Sequence, residues 1–483
     1  MNKAFARPVS ILLIMLVVTT QNWATCGGGG GGGVGGMGGG SVETYPVPWR
    51  VQTPKDPPVT AGLVLYWFPA SVNELQKSSL RNSRTLSMYA TQCVTMQVAE
   101  VKSAPGQKLA ADAKLPVAVL ATPDGTAVGK AESNNGMLKV EQVEKLVESE
   151  IKKRDENLKQ KFEAAKEKAK SGDNSAAIPL YRAVLDEKCL FPKRAKDAAK
   201  ELKKLGVTDV GAIADPPVFD RAESAHIEDV MRRGLKAENQ GKYPEAEKLY
   251  AEAHRLDQAD PVPLRYLGEL YRHQTGEWEK ARQTFDQILA MQADPLSRAV
   301  ALHGLGKMTI HEGEFKKGLA LMEDSVRAYP IALAYRNLAV YWNSEGDAAK
   351  TDYYVHLALN LEPTDPFNLV FAAGFMAGTG HGEEALKIAR EHEALLPASY
   401  NLAAVYAQTG QHEKAIALLK RHFFEYERYQ AVRTKEMMEA RVDAVFASLR
   451  NDPTFIALTN GADGKLPIPG SSTMGSRPAG GAN

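Results

Sequence analysis

Gly234-Leu-Lys-Ala-Glu-Asn-Gln-Gly241-Lys-Tyr243-Pro-Glu-Ala246 aligns with Gly268-Glu-Leu-Tyr271-Arg-His-Gln-Thr-Gly276-Glu-Trp278-Glu-Lys-Ala281. The same grammar returns at Asn401-Leu-Ala403-Ala-Val-Tyr406-Ala-Gln-Thr-Gly410-Gln-His-Glu-Lys-Ala415. Gly234 and Gly268 are 34 residues apart, as are Ala339 and Ala373. Small residues, aromatic residues and a glycine recur in fixed order. A unit repeated in this way exposes an apolar stripe when alone. Stacking hides the stripe, and the two ends need caps.

The period and residue types resemble the tetratricopeptide repeat (TPR). That resemblance implies an antiparallel helix pair per copy, with small residues where the helices cross and a glycine at the corner. The obvious copies span about 227–260, 261–298, 299–331, 332–365, 366–397 and 398–424. The 261–298 copy carries one extra residue in its turn. A divergent earlier copy is read around Gly172, Ala177 and Tyr181, where a densely charged helical stretch (Glu148 to Lys170) continues toward Leu185. Glu425 to Leu458 is read as the closing cap. Phe446, Leu449, Phe455 and Leu458 are expected to cover the last copy. The segment resembles the closing stretch of many bacterial TPR proteins.

Upstream the pattern is α/β. Gly62 to Phe68 is a short apolar run suited to a buried strand, and Ser71 to Tyr89 is helical in character. Thr95 to Val101 and Lys114 to Ala121 read as strands, Thr126 to Ala131 as a strand after the Asp124-Gly125 turn, and Val140 to Ile151 as an amphipathic helix. This order resembles a thioredoxin-like domain over roughly 42–152. The residues that carry it are Leu65-Tyr66-Trp67, Leu115-Pro116-Val117 and Asp124-Gly125. The resemblance makes Pro116 the family's cis-proline position. Where the family places C-x-x-C, this chain has Ser71-Val-Asn-Glu74. A serine cannot perform thiol–disulfide exchange, so a structural or binding role is expected. The expected fold is multidomain: a redox-inactive α/β thioredoxin-like domain, then an all-α TPR solenoid, a right-handed superhelix of helix pairs.

The expected divisions are a signal peptide at 1–26, a Gly/Pro-rich linker at 27–58 and the thioredoxin-like domain at 59–152. Divergent helices and a hinge with Pro216-Pro217 follow at 153–220, the repeat array at 221–424, the cap at 425–458 and a disordered tail at 459–483. Lys3 and Arg7 precede a short apolar run, Val9 to Val18, which is too short to span a bilayer. Cleavage with release and lipidation of Cys26 both remain open. Either places the mature chain outside the cytoplasm, in a bacterial periplasm or envelope. Gly27 to Gly40 reads as a flexible spacer. Outside the cytoplasm Cys93 and Cys189 could pair, but they fall in different expected domains, and free buried thiols are the expected state.

A formal net charge of +1 gives no global field for nucleic acid. No metal, nucleotide or hydrolase motif is present, and no cofactor is expected. The expected partner is a protein or peptide with an acidic segment, and membrane contact only through the N-terminal lipid. By the resemblance, the first helix of each pair lines a concave face. Its exposed positions are then Arg265, Glu269, Arg272, His303, Lys307, Arg336 and Asn343. A scaffold is the reading preferred here. A thiol oxidoreductase or chaperone and a purely structural envelope protein are the alternatives.

Overall fold

The computed structural model describes residues 44–460, apart from 54–56, 134–135, 214–222, 364, 397–398 and 427–429. The expected signal peptide with Cys26, the glycine run, Pro216-Pro217 and the tail beyond Asn460 lie outside the described residues.

Five short strands form one mixed sheet: β1 (Arg50–Val51), β2 (Leu63–Phe68), β3 (Val94–Val98), β4 (Val117–Ala121) and β5 (Ala127–Glu132). Their order is β1-β3-β2-β4-β5. β1 and β2 run parallel to β3, whereas β4 is antiparallel to both β2 and β5. β2 is buried on both faces, as its unbroken apolar run requires. Leu63, Leu65 and Trp67 enter one core, and Val64, Tyr66 and Phe68 another. The stretch expected as one helix is divided into α1 (Val72–Lys77) and α2 (Arg84–Thr91). The break is capped at Ser78 and Ser83, whose hydroxyls accept from the Leu80 and Leu86 amides. A short helix, α3 (Ala104–Leu109), follows β3, and the Leu115–Pro116 peptide is cis.

α4 runs unbroken from Val140 to Lys170, 31 residues. The expected boundary at 152/153 falls inside it. Nothing in this stretch stops a helix: it has no glycine or proline, and Glu150 pairs with Arg154 one turn on at 2.8 Å. Val143 and Val147 lie on the sheet, while Leu158 and Ala165 pack on α5 (Asn174–Leu185) and α6 (Pro192–Lys204) within the same core. Cys93 and Cys189 are not free thiols. Cys93, at the mouth of β3, is disulfide-bonded to Cys189, between α5 and α6, across 96 residues of sequence. Separation in sequence hid a proximity that the shared core creates.

The repeats follow as helix pairs: α7 (Ser224–Asn239) with α8 (Tyr243–Leu256), α9 (Pro261–Glu269) with α10 (Trp278–Ala290), and α11 (Pro295–His311) with α12 (Phe315–Ala328). Then come α13 (Ala332–Ser344) with α14 (Ala348–Leu361), α15 (Pro366–Gly378) with α16 (Gly382–His392), and α17 (Tyr400–Gln408) with α18 (His412–Arg421). Each helix packs on the next in chain order. The corner glycines Gly241, Gly276, Gly313, Gly346, Gly380 and Gly410 all have φ between +68° and +93°, a region costly to other residues. The extra residue of the α9–α10 copy is absorbed as a π-turn, Leu270–Thr275, ending at Gly276. Crossings need glycine for a different reason. A Cβ on Gly268 would lie 2.3 Å from the Phe285 ring, and one on Gly304 would lie 2.4 Å from the same ring's other edge. Phe285 therefore wedges both its own copy and the next.

The chain ends in α19 (Gln430–Val442), a 3-10 turn (Ala444–Leu449) and α20 (Pro453–Asn460). Phe446, Leu449, Phe455 and Leu458 join the core of the last two copies, the expected cap. Thr459 and Asn460, expected to open the tail, instead end α20, and Thr459 is buried.

The 27–58 stretch is not all linker. Tyr45, Val47 and Trp49 are buried. Tyr45 lies in the repeat core, and Val47 and Trp49 in the sheet core. The Tyr45 hydroxyl donates to Asp260 Oδ2 (2.8 Å), the Tyr329 hydroxyl to the Trp49 carbonyl (2.8 Å), and Arg50 Nη2 to the Ala328 carbonyl (2.9 Å). Arg84, fully buried on α2, pairs with Asp257 and, at 3.1 Å, with Asp260. Its Nη1 also donates to Ser224 Oγ at 3.1 Å. The sheet unit is therefore docked on the solenoid.

Candidate functional site

Helices α9, α11 and α13, each the first of its pair, carry six of the seven polar side chains expected to face a groove, and Arg272 follows α9 in the π-turn. Their geometry differs from that of an open cationic surface. Arg265 is 1% exposed and donates from Nη1 to Ser297 Oγ at 3.2 Å in the next copy. Its guanidinium also lies 5.6 Å from the centre of the Tyr266 ring. Glu269 and Arg272 are buried and paired at 2.8 Å, three residues apart on one face. His303, 2% exposed, accepts at Nε2 from Asn337 Nδ2 at 2.8 Å. Arg336, with 18% of its side chain exposed, donates to Asn368 Oδ1 at 2.6 Å and lies 3.7 Å from Asp365. Arg265, His303 and Arg336 thus each reach the following copy and form a ladder along the stack. The expectation that Arg265, Glu269, Arg272 and His303 are exposed is corrected. Alignment to an isolated repeat omits the next copy, which covers them.

Burial sets the electrostatics of this floor. It pushes the His273 and His303 imidazoles well below the usual histidine range, helped by the neighbouring Arg272 and Lys307 charges. Both are therefore neutral near pH 7, as the acceptor role of His303 requires. Burial also acts to lower the Lys307 ammonium. Tyr341, Glu439 and Glu436 outweigh it, so Lys307 rises and stays charged. Two of these groups come from α19. Glu439 approaches His311 Nδ1 at 3.7 Å, and Glu436 lies 3.1 Å from His422 Nε2.

The seven expected residues fall into two sets. Glu269, Arg272, His303 and Lys307 lie near one another, Lys307 also near the glutamates of α19, and Arg265 adjoins Tyr266, whose hydroxyl donates to the Thr44 carbonyl in the docked N-terminal stretch. Arg336 and Asn343 lie on a neighbouring stripe of α13, one helical turn on either side of Val340. Exposure increases along that stripe: Arg336 is half-buried, Val340 is 43% exposed and Asn343 is exposed. The glutamates of α19 were not among the expected groove residues. Their spacing, Glu436 and Glu439, is the only local signal that they share a helix face.

In the sheet unit, Ser71 caps α1 by accepting from the Glu74 amide at 3.1 Å. Burial raises the Glu74 carboxyl to about 7. Among the described residues, no group of His, Cys, Asp or Glu is placed to hold a metal ion.

Residues 239–305 match the tetratricopeptide repeat family. The stretch contains α8, α9 and α10 and most of α11. A curated relative, Protein CTR9 homolog of Arabidopsis thaliana, is 24% identical over 232 residues, covering 38% of this chain. The chain spans only 21% of that relative's length. Among solved structures, a thermophilic TPR protein of Thermus thermophilus is similar at a TM-score of 0.31 and 20% identity, covering 38% of this chain and 99% of that one. PilW, a type IV pilus biogenesis factor, is similar at 0.29 and 17% identity, covering 51% and 97%. Yeast Tom70 is similar at 0.29 and 12%, covering 65% and 77%. The helical part from α7 to α18 is a TPR-like solenoid of successive helix pairs.

Proposed function

We propose that this chain is an exported, non-enzymatic scaffold that holds a protein or peptide with an acidic segment on the concave side of a right-handed TPR superhelix. The observation that carries the reading is the Arg336–Val340–Asn343 stripe. Val340 and Asn343 are the part of the expected face that is exposed, with half-buried Arg336 at the other end of the stripe. An apolar side chain flanked by a cation and an amide suits charge-assisted recognition of a carboxylate-bearing segment.

The strand order supports reading the sheet unit as a thioredoxin-like domain, in which Ser71 and Glu74 would take the place of the cysteines of redox members. Both described cysteines are engaged in the Cys93–Cys189 disulfide, which favours an oxidising compartment and so supports export. Lipidation at Cys26 is the proposed anchor, tested by palmitate incorporation that Cys26→Ser abolishes. Cross-linking in cells followed by mass spectrometry tests the binding reading. Reproducible partners of the wild-type chain should be lost in Val340→Glu with Asn343→Glu, both exposed and so neutral for folding. Retention of every partner would overturn it.

A further inference from the structure

α6 carries a row of lysines beside its buried face. Pro192 starts the helix, and Ala195, Ala198, Ala199 and Leu202 are buried. Lys193, Lys196, Lys200 and Lys203 follow one another at spacings of three, four and three, so they share one edge. Asp197 and Glu201 project on the side of that edge away from Ala199, and Glu201 pairs with Lys204 at 2.7 Å. Beyond Lys204 the chain turns back at Gly206, where φ is +83°. Val210 and Ile213 then join the same core as Ala199.

Between this returning chain and α6 lies a cleft of about 370 Å³, a volume that a small ligand fills. Ala199 and Val210 are buried and Ile213 is half-buried, which gives the cleft an apolar floor. Lys200 and Lys203 are exposed and form its rim with the half-buried Lys196. None of the described residues that line it is acidic. A further ammonium adjoins it, since Lys188 Nζ lies 3.4 Å from where a Cβ on Gly211 would stand. The charge is a local concentration, because the whole chain has a formal net charge of only +1.

We propose that this cleft binds a small soluble anionic amphiphile, with a phosphate or carboxylate head on a short apolar body. The head accepts charge-assisted hydrogen bonds from Lys200 and Lys203, and the body covers Ala199, Val210 and Ile213. The recessed floor favours a free amphiphile over a bilayer headgroup, which would meet the exposed lysines alone. The site precedes the repeat array and stands independently of the scaffold reading.

The probe is octyl phosphate, titrated into the full chain and read by calorimetry. Inorganic phosphate supplies the head without the body, and octyltrimethylammonium supplies the body with the opposite charge. Octyl phosphate should bind at least about tenfold tighter than inorganic phosphate, because it also covers apolar surface. The cationic control should not bind. Lys200→Glu/Lys203→Glu changes two exposed positions, so it should leave thermal unfolding in place and weaken octyl phosphate at least about tenfold. Ile213→Ser should weaken octyl phosphate about threefold and leave inorganic phosphate unchanged. Inorganic phosphate binding as tightly as octyl phosphate, or octyl phosphate binding equally to both variants and wild type, overturns the inference. So does a chain that takes up no octyl phosphate, including one that sediments with phosphatidylglycerol vesicles through Lys200 and Lys203, which would make the lysine edge a membrane contact instead.

Discussion

Replacing Arg84 by methionine should uncouple the sheet unit from the solenoid. Arg84 and Asp260 are 0% exposed in their side chains and Asp257 is 5% exposed. The guanidinium spans both carboxylates and Ser224 Oγ. Asp260 also caps α9 through the Val262 amide at 2.9 Å and receives the Tyr45 hydroxyl. Methionine matches the volume but leaves two buried carboxylates facing each other. Breaking a buried pair from one side costs about 3–5 kcal/mol. At about 1.4 kcal/mol per tenfold, that is roughly two to three and a half decades of opening equilibrium. Hydrogen exchange should report such a loss of protection at Thr44–Val51 and α2, while α15–α18 stay protected. A cycle with Asp257→Asn, read in urea, should show strong coupling between the two positions. A loss below about 1 kcal/mol, the worth of an exposed pair, would refute the reasoning.

Three further outcomes follow from the packing and the charges. Gly268→Ala should lower the urea midpoint by a net cost of up to about 2 kcal/mol, because Phe285 is trapped between Gly268 and Gly304 and helix propensity returns only part of the strain; an unchanged midpoint would contradict the wedge. Cys93→Ser should cost about 4–5 kcal/mol in urea unfolding, because the bond closes a 96-residue loop; equal stability with and without reductant would contradict that. The buried Glu238 carboxyl, which accepts from the Tyr250 hydroxyl at 2.7 Å, is raised to about 7 by burial. The folded state therefore binds this proton more tightly than the unfolded chain does. The stability this confers is complete below about pH 4 and is lost as pH rises through 7. Glu238→Gln does not titrate, so its stability relative to wild type should rise by up to about 3 kcal/mol between pH 4 and pH 8. Parallel pH profiles would contradict the assignment.

The solenoid was legible because its signals are local. Gly241 and Gly276 mark corners, Gly234 and Gly268 mark crossings, and each recurs at a fixed offset. The extra residue before Gly276 was legible as a count, though not as a π-turn. The docked stretch was obscured by Pro46 and Pro48, which read as linker. The alternation of Tyr45, Val47 and Trp49 was the available signal, two residues apart and all buried. Arg84 with Asp257 and Asp260 gave no such signal. Their partners lie 173 and 176 residues away, and a charged residue on a helix reads as solvated. Of the expected groove residues, Arg265, Glu269, Arg272 and His303 are buried rather than exposed, while Asn343 is exposed as expected. Repeat spacing fixes which helix face a side chain leaves from, but neither the next copy nor α19 is visible in one repeat.

A photo-cross-linking residue at Val340, compared with one at Lys248 on α8, the second helix of its pair, tests the binding face most directly. Both positions are exposed. Discrete adducts should form from position 340 and disappear when Lys307→Gln is added, with none from position 248. Adducts from position 248 alone, or the same adducts from both positions, would contradict a concave binding face.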